Sequence, residues 1–264
     1  MAKQIKGTAV VTGASGGIGY ELAKVCAQNG YDLVLAARSE EKLNALKKDF
    51  EAQYMIKVQV FTADLSEMGQ PAALYKFCHV HHIPVEVLIN NAGYGDYQPV
   101  AKADADVLSN MLDLNVIALT ELTTLFVKDM VKQRSGKILN IGSTAAYQPV
   151  PRLAAYAASK AYVVSFTEAL HAELKGTGVT ATVLSPGVTE TGFVDRAGMA
   201  NAGLAQGAQA SAAAVAKAGY AAMQKGSFYV IPGVINKLLA FSTRITPSRR
   251  LVLAISALVS KEKK

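Results

Sequence analysis

The chain has 264 residues, of which 51% are hydrophobic and 18% are charged, so it can bury a large core and is not a disordered chain. Its 27 basic and 20 acidic residues give a net charge of +7, which suits nucleic acid, an acidic lipid surface or a phosphate-rich ligand without choosing among them. The N-terminus lacks an apolar signal segment, and no stretch approaches the roughly 20 apolar residues of a membrane span. We therefore expect a cytoplasmic protein in which Cys26 and Cys78 are free, buried thiols.

Short apolar, β-branched runs alternate with longer segments of helical period along the chain. Strands are predicted at residues 8–12, 32–36, 56–61, 86–90, 137–141, 179–184 and 228–231. Helices are predicted at residues 18–28, 40–52, 70–80, 103–133, 156–175 and 209–224. This alternation predicts right-handed βαβ units, and hence an α/β fold of the Rossmann type: a doubly wound parallel sheet of about seven strands with helices on both faces.

Two glycines are placed where helices are expected to end. Gly30 follows the first helix and Gly136 follows the long helix that ends near Arg134, so both are predicted to adopt the left-handed conformation of a helix C-terminus. No linker, repeat or charge block divides the chain, so residues 1–264 are predicted to form one domain. Within it, the Ala/Gly-rich stretch 197–216 is interpreted as a mobile loop that leads into a helix, about 189–210 as the substrate loop, and 233–264 as a basic, helical tail.

The run Thr12–Gly19, with the sequence TGASGGIG, directly follows the first predicted strand and opens the first helix. Gly13 permits a tight turn, Gly17 lets the backbone approach a pyrophosphate, and Gly19 lets the helix pack closely on the sheet. The unpaired N–H groups of a helix N-terminus then favour phosphate. The turn therefore predicts a dinucleotide site, with a purely structural turn as the alternative.

Arg38 follows the second strand, at the position where a site for NAD places an acidic residue on the ribose. A carboxylate would repel a 2′-phosphate there, whereas Arg38 can bind one through a charge-assisted hydrogen bond. Such a bond is worth about 1.5–3 kcal/mol, which corresponds to a preference of roughly tenfold to a hundredfold for NADP over NAD. NADP(H) is therefore the predicted cofactor. The alternative is that Arg38 is only a solvent-exposed residue at the end of the strand and binds no ligand.

Tyr156 and Lys160 lie four residues apart at the start of a predicted helix, which places both side chains on one face. A tyrosine hydroxyl titrates near 10 in water, and an ammonium at about 4 Å and an effective dielectric of 20 would favour the phenolate by about 4 kcal/mol. Desolvation opposes this effect. The sequence thus predicts that Lys160 lowers the pKa of Tyr156 toward the range of general acid–base catalysis.

Two further motifs end predicted strands. Ser143 follows the fifth strand, thirteen residues before Tyr156, and Asn90–Gly93 (NNAG) closes the fourth. Because ligands bind at the carboxyl ends of the strands in open α/β sheets, the hydroxyl of Ser143 is expected to hydrogen-bond a substrate carbonyl oxygen.

With these motifs in this order along nearly the whole chain, the sequence resembles the short-chain dehydrogenases/reductases, in their compact, NADP-preferring, ketoacyl-reductase-like form. The matching residues are Thr12–Gly19, Asn90–Gly93, Asn115, Ser143, Tyr156 with Lys160, and Pro186 with Gly187. The resemblance implies reversible reduction of a ketone or aldehyde by NADPH. In that reaction Tyr156 would donate the proton, Ser143 would orient the substrate oxygen, Lys160 would bind the nicotinamide ribose, and Asn115 would anchor a water of a proton relay.

The resemblance also implies the two halves of the binding site. The cofactor-binding residues would be Gly13, Ser15, Gly16, Gly17, Ile18, Gly19, Arg38, Ser39, Asp64, Leu65, Asn91, Ala92, Gly93, Tyr156, Lys160, Pro186, Gly187, Val188 and Thr191. Among them Asp64 would contact the adenine, Asn91 would lie by the adenosine ribose, and Val188 with Thr191 would hold the carboxamide. The substrate pocket, expected to be apolar and aromatic, would be formed by Ser143, Tyr94, Tyr97, Tyr147, Phe193 and Met199.

Two other functions remain as alternatives: a non-catalytic NADP-binding regulator on the same scaffold, and a sugar-nucleotide epimerase or dehydratase. The first is expected to lose Tyr156 or Lys160, and the second to carry a larger C-terminal domain. A homodimer or homotetramer built through helices 103–133 and 156–175 is the family expectation.

Other partners are judged from the charge pattern. The basic residues are not interleaved with aromatic residues on one segment, so nucleic acid is not an expected partner. His79, His81 and His82 lack Cys or carboxylate partners at metal-ligand spacing, so no metal site is predicted. The tail is predicted to pack on the domain or on a second subunit, with a membrane-surface helix as the less favoured alternative.

Overall fold

A seven-stranded, all-parallel sheet organises the protein, whose computed structural model describes residues 5–199, 201–203 and 209–260. The order of strands across the sheet is β3-β2-β1-β4-β5-β6-β9, and within the described residues β7 and β8 pair separately. The strands are β1 (Thr8–Thr12), β2 (Asp32–Ala37), β3 (Val58–Thr62), β4 (Val85–Asn90), β5 (Gly136–Ile141), β6 (Val179–Leu184), β7 (Thr189–Glu190), β8 (Ala210–Ser211) and β9 (Tyr229–Val230). The Rossmann-type fold predicted from the alternating pattern is confirmed.

Helices connect the strands and cover both faces of the sheet. They are α1 (Gly17–Gln28), α2 (Glu40–Tyr54), α3 (Gln70–Val80), α4 (Ala105–Leu112), α5 (Leu119–Gln133), α6 (Ala154–Glu173), α7 (Phe193–Arg196), α8 (Ala212–Gln224), α9 (Val234–Ile245) and α10 (Arg249–Val259). Short 3-10 turns at Val100–Lys102 and Thr144–Tyr147 complete the described helical elements, together with a π-helical turn at Asp113–Ala118.

Each face of the sheet has its own buried core because side chains alternate along every strand. On β1, Val11 points into the core under α1, α2 and α8, whereas Val10 points into the core under α3, α5 and α6. Buried Leu22 of α1 belongs to the first core, and buried Phe126 of α5 to the second. Both faces being covered, the ligand-binding surface is left at the carboxyl edge of the strands.

The long helix predicted over 103–133 is confirmed as one continuous helical segment, Ala105–Gln133, although the π-helical turn inside it was not predicted. α4 and α5 are joined by the π-helical turn Asp113–Ala118, which holds one more residue than an α-helical turn. The stretch Ala105–Gln133 is the one described helical segment long and apolar enough to span a membrane by length and composition. Its Leu122 and Phe126 are buried in the core beneath the sheet, as in the core helices of globular proteins.

Of the two predicted left-handed glycines, one is confirmed and one is wrong. Gly30 has φ 85° after α1, whereas after α5 Arg134 itself adopts the left-handed conformation, with φ 54°. Gly136 instead begins β5, where a Cβ atom would lie 2.5 Å from Cγ of Met130. Gly136 is therefore required by the close approach of α5 to the sheet.

The turn between α6 and β6 offers a matched test of backbone packing. Gly176 and Gly178 both have positive φ, 84° and 88°, but only a Cβ at Gly178 meets backbone, at 2.1 Å from the carbonyl oxygen of Arg134. We expect Gly176→Ala to cost about 1–2 kcal/mol of left-handed strain. Gly178→Ala should cost at least about 2 kcal/mol more because the chain must also move, as measured by urea unfolding. Equal losses in the two variants would contradict the described packing of this turn.

Candidate active site

A cavity of about 590 Å³ lies at the carboxyl edge of the sheet, between the ends of β1, β2, β4, β5 and β6. Most of the residues predicted to bind cofactor or substrate line its wall. These are Gly13, Ser15, Gly16, Gly17, Ile18, Arg38, Ser39, Asp64, Leu65, Asn91, Ala92, Gly93, Ser143, Tyr156, Lys160, Pro186, Gly187, Val188, Thr191, Phe193 and Met199. One continuous space therefore joins the glycine turn to the tyrosine–lysine pair.

The glycine turn at the end of β1 is shaped by close backbone contacts. Gly13 has φ 65°, and a Cβ at Gly19 would lie 2.3 Å from the carbonyl oxygen of Gly13, so the first turn of α1 presses on the turn itself. α1 begins at Gly17 with no side-chain cap and no acidic residue in its first turn. Its N–H groups and partial positive charge are therefore available to an anion in the cavity, which fits the phosphates of a dinucleotide.

Thr12 and Asn91 fasten the glycine turn to the end of β4. Oγ1 of Thr12 accepts hydrogen bonds from the backbone N–H groups of Asn91 and Ala92, at 2.9 and 3.0 Å. Nδ2 of Asn91 in turn donates to the carbonyl oxygen of Thr12 at 2.9 Å. The predicted ribose-side residue Asn91 therefore also holds two walls of the cavity at a fixed spacing.

A charged cluster lies at the end of β2, where the adenosine half of a dinucleotide is expected. Arg38 and Asp64 form an ion pair of 3.4 Å that is partly open to solvent. Burial would raise the pKa of Asp64, but hydrogen bonds from Ser66 and the charge of Arg38 hold it below its ordinary value. Asp64 is thus ionised at neutral pH and orients Arg38 at the cavity wall.

Lys42 of α2 and Arg196 of α7 also line this end of the cavity, and neither was predicted to be a site residue. The guanidinium of Arg196 lies 4.8 Å from the ring centroid of Tyr94, and burial together with the charge of Arg38 lowers its pKa. No local motif marks Arg196, because only the fold of the loop after β6 brings it near the end of β2. Three cations and one carboxylate therefore surround this end of the site.

Tyr156 and Ser143 meet at the other end of the cavity. Tyr156 is buried in the first turn of α6, and Ser143 lies two residues after β5, where its Oγ also accepts a hydrogen bond from the N–H of Ala145 at 3.1 Å. Burial raises the pKa of Tyr156 to about 12, although a hydrogen bond from Ser143 works in the opposite direction. The phenol is therefore fully protonated at neutral pH in the ligand-free protein.

Lys160 is buried one helical turn after Tyr156. Its Nζ lies 5.8 Å from the centroid of the Tyr156 ring and donates a hydrogen bond of 2.8 Å to the carbonyl oxygen of Ile141. Burial lowers the pKa of Lys160 to about 8. The expected lowering of the tyrosine pKa is therefore wrong for the ligand-free site, because desolvation by burial is the largest effect on Tyr156 and raises its pKa.

Asn115 lies within the π-helical turn and does not line the cavity wall. Its Oδ1 accepts from the N–H of Tyr94 at 3.2 Å, its Nδ2 donates to the carbonyl oxygen of Tyr94 at 2.9 Å, and Ser159 accepts a further bond at 3.2 Å. A Cβ at Gly93 would lie 2.8 Å from Oδ1 of Asn115 and 3.4 Å from Nζ of Lys160. Asn115 thus anchors the loop that covers Lys160, while its role in a proton relay stays a prediction.

Of the six predicted substrate-pocket residues, Ser143, Phe193 and Met199 line the cavity, and the three tyrosines do not. The hydroxyl of Tyr94 donates to the carbonyl oxygen of Val107 at 3.1 Å, and that of Tyr97 donates to the carbonyl oxygen of Ser260. Tyr147 packs under Arg244, with its hydroxyl 3.2 Å from Oγ of Ser185. The assignment of these tyrosines to the pocket wall is corrected, because each hydroxyl is engaged in holding neighbouring elements together.

Smaller apolar residues form the wall near Tyr156 in their place. The centroid of Phe193 lies 5.3 Å from that of Tyr156, and Leu153, Val150 and Val194 surround this end of the cavity. The apolar character predicted for the pocket is therefore present, although part of it comes from Val150, Leu153 and Val194, which were not predicted. Residues 200 and 204–208 of the predicted mobile loop lie outside the described residues, so its motion stays a prediction.

Three other predictions concern Gly19, a metal site and the two cysteines. Gly19 does not line the cavity, because it packs against the turn behind it. Within the described residues, no group of three or more His, Cys, Asp and Glu side chains is arranged to hold a metal ion. Cys26 and Cys78 are free and buried, and burial raises the pKa of each thiol to about 12.

Comparison with known sequences identifies relatives of this arrangement. A family model described as short chain dehydrogenase matches residues 7–202. An uncharacterized oxidoreductase of Staphylococcus epidermidis is 31% identical over 191 residues, which cover 72% of this chain and 81% of that protein. The very-long-chain 3-oxoacyl-CoA reductase of Anas platyrhynchos is 35% identical over 177 residues, which cover 65% of this chain and 56% of that protein. The match thus spans little more than half the length of this reductase.

Among solved structures, a short-chain dehydrogenase from Sphingobium yanoikuyae in complex with NADPH is 27% identical, with a TM-score of 0.82. The superposition covers 94% of this chain and 95% of that one. The similarity in fold therefore extends over nearly the whole chain.

The buried ammonium of Lys160 makes a testable contribution to stability. With a pKa of about 8 in the folded protein and an ordinary pKa of 10.5, this lysine binds its proton more weakly when folded. Folding therefore releases a proton between pH 8 and 10.5, and stability from this group increases as pH rises through that window. The burial penalty, roughly 3 kcal/mol, is fully present below pH 8.

We expect Lys160→Met, which lacks this penalty, to gain stability relative to the wild type at pH 7 and to lose most of that gain by pH 10, as measured by urea unfolding across the range. Lys175→Met, at an exposed position after the same helix, serves as the control for removing one charge. A stability difference that does not change with pH would contradict the assignment of a desolvated ammonium.

Proposed function

The chain belongs to the short-chain dehydrogenase/reductase family and is a dehydrogenase/reductase; from that premise we propose that it reduces a hydrophobic ketone or aldehyde to an alcohol with NADPH. The observation that carries the proposal is the meeting of Tyr156, Lys160 and Ser143 in the same cavity as the glycine turn. The residues of the cavity fit a nicotinamide dinucleotide, with the turn at 13–18 for its pyrophosphate and Lys160 for its nicotinamide ribose.

The reaction needs hydride and a proton, and the chain supplies the proton. A bound nicotinamide supplies or accepts the hydride at the reacting carbon. Ser143 donates a hydrogen bond to the substrate oxygen, and Tyr156 transfers its phenolic proton to that oxygen as the alcohol forms. With a pKa of about 12, Tyr156 holds its proton at neutral pH, which is the state that reduction requires. The ammonium of Lys160 stabilises the negative charge that develops on the tyrosine oxygen.

The substrate class follows from the wall near Tyr156. Val150, Leu153, Phe193 and Met199 offer apolar surface, so the group attached to the carbonyl is hydrophobic. A 3-oxoacyl thioester is the first compound to test, because a relative at 35% identity carries the name very-long-chain 3-oxoacyl-CoA reductase. A panel of apolar ketones and aldehydes, assayed by loss of NADPH absorbance, compares it with simpler carbonyls.

We also infer that the protein acts as a homo-oligomer in the cytoplasm. The oligomer is supported by Tyr162, which is exposed on α6 and stacks on Phe166 at 5.7 Å, and by Ile117, which is exposed on the π-helical turn. Sedimentation velocity of the wild type distinguishes monomer, dimer and tetramer.

Removal of the tyrosine hydroxyl tests the proton donor. Tyr156→Phe should lower kcat by about 10²–10⁴-fold, because proton transfer from a positioned side chain contributes that much. Binding of NADPH, followed by its fluorescence, should be nearly unchanged. Tyr162→Phe, which removes a hydroxyl from the exposed face of the same helix, is the matched control and should retain turnover. Near-wild-type activity in Tyr156→Phe would exclude the mechanism and favour a non-catalytic role.

Reversal of charge at position 38 tests the cofactor preference. Arg38→Asp places a second carboxylate beside Asp64, so a 2′-phosphate is repelled while the ribose hydroxyl of NADH gains an acceptor. We expect the ratio of kcat/KM for NADPH over NADH to fall at least tenfold to a hundredfold. NADH serves as the internal control because it lacks the phosphate. An unchanged ratio would show that Arg38 does not contact this group.

A further inference from the structure

The C-terminal helices α9 and α10 are attached to the domain by narrow faces and leave most of their apolar side chains in solvent. α10 is buried at Val252 and Ser256, and Ser260, which directly follows the helix, is buried too, so the buried positions are spaced by four residues. Of the 23 large apolar side chains that are exposed among the described residues, eleven lie between positions 234 and 259. Val234 and Ile235, each 73% exposed, are among them. Such a concentration of exposed apolar side chains in one segment indicates an interaction surface, because monomeric proteins rarely expose large apolar patches.

The charge of the chain is concentrated in the same region. Residues 1–196 contain 18 basic and 19 acidic residues, whereas residues 197–264 contain nine basic residues and one acidic residue, Glu262. On the two helices Lys237, Arg249 and Arg250 are exposed beside the apolar side chains. Such a surface has the composition of an interfacial helix, which inserts its apolar side chains among acyl chains and places its cations near anionic headgroups.

The charge and the length of the two helices distinguish between a second copy of the chain and a lipid bilayer as the partner of this surface. In a symmetric contact with a second copy, the same patch appears on both sides, so cations would meet cations with no carboxylate on either helix to pair with them. α9 has 12 residues and α10 has 11, and each is too short for the roughly 20 residues that cross a bilayer. Docking on the surface of an anionic bilayer meets both conditions, because the headgroups pair with the cations and the helices do not have to cross the bilayer.

The two helices also contact the substrate end of the cavity. Oγ of Ser256 donates to the carbonyl oxygen of Pro149 at 2.5 Å, directly before the cavity residue Val150. A Cβ at the cavity residue Gly187 would lie 2.6 Å from Nδ2 of Asn236 in α9. The exposed apolar surface is therefore continuous with the elements that form the rim around Tyr156.

We propose that α9 and α10 dock the protein on an anionic lipid bilayer and hold the substrate end of the cavity beside it. The second part rests on the proposed function, and it implies that the hydrophobic carbonyl compound is taken from the lipid phase. The family match ends at residue 202, so this surface lies outside the part of the chain that the match covers.

Flotation of the full chain with lipid vesicles tests the docking without any enzymatic readout. Vesicles containing about one third phosphatidylglycerol in phosphatidylcholine should carry the protein at about 0.1 M salt. Vesicles of phosphatidylcholine alone, or salt of about 0.5 M, should carry at least several-fold less. Absence of binding to the anionic vesicles, or equal binding to both kinds, would overturn the proposal.

Variants separate the tail from the rest of the surface. The double variant Leu238→Ser with Leu258→Ser changes two exposed positions and should lower vesicle binding at least tenfold, and Arg249→Gln with Arg250→Gln should lower it several-fold. The matched control, Met68→Ser with Val80→Ser, changes exposed apolar residues elsewhere and should bind as the wild type does. Equal losses in the control, or a lipid-independent dimer that the tail variants abolish, would overturn the proposal.

The outcomes for docking and for the reaction are distinguishable. Tyr156→Phe should float with anionic vesicles as the wild type does, while it loses turnover. The tail variants should reduce a water-soluble ketone at the wild-type rate if the proposed function is right. Failure of flotation with intact reductase activity would reject only the docking surface.

Discussion

A buried ammonium is the constraint on which the site depends. Lys160 is held in the interior by one hydrogen bond to the carbonyl oxygen of Ile141, and burial lowers its pKa to about 8. Neighbouring groups are arranged around it: Asn115 fixes the loop over it, and Tyr156 lies one helical turn before it. In a medium of low dielectric, an uncompensated cation acts strongly on any negative charge that forms nearby. The low dielectric of the interior therefore explains both the free energy needed to bury the ammonium and the strength of its effect on the reacting oxygen.

Local motifs are sufficient to predict most of this arrangement. The apolar runs give all seven strands of the main sheet to within two residues, and the glycine turn, Ser143, Tyr156 and Lys160 are found where the pattern of strand ends predicts. These features depend on the chain near them and on one general rule, that parallel strands present their carboxyl ends together. Periodicity and turn chemistry therefore carry the information for the scaffold.

The features that were missed depend on contacts between distant segments. The π-helical turn at Asn115 leaves the apolar period nearly intact, so a continuous helix fits the sequence equally well. Arg196 and Arg38 are 158 positions apart, yet they line the same end of the cavity. The tyrosine hydroxyls at 94, 97 and 147 find partners within the scaffold, which no spacing rule reveals. Similarly, the pKa of Tyr156 does not follow from the spacing of Tyr156 and Lys160, because it depends on how deeply the two side chains are buried.

The contact between Phe193 and Tyr156 has a consequence for the shapes of molecule that the site accepts. The two rings are 5.3 Å apart, and Phe193 belongs to the short helix after β7, so an aromatic side chain from a different segment lies beside the tyrosine in the ligand-free cavity. A carbonyl compound bound at the tyrosine hydroxyl shares this space with the Phe193 ring. The volume of the side chain at 193 therefore limits the bulk of the group that fits beside the reacting carbonyl.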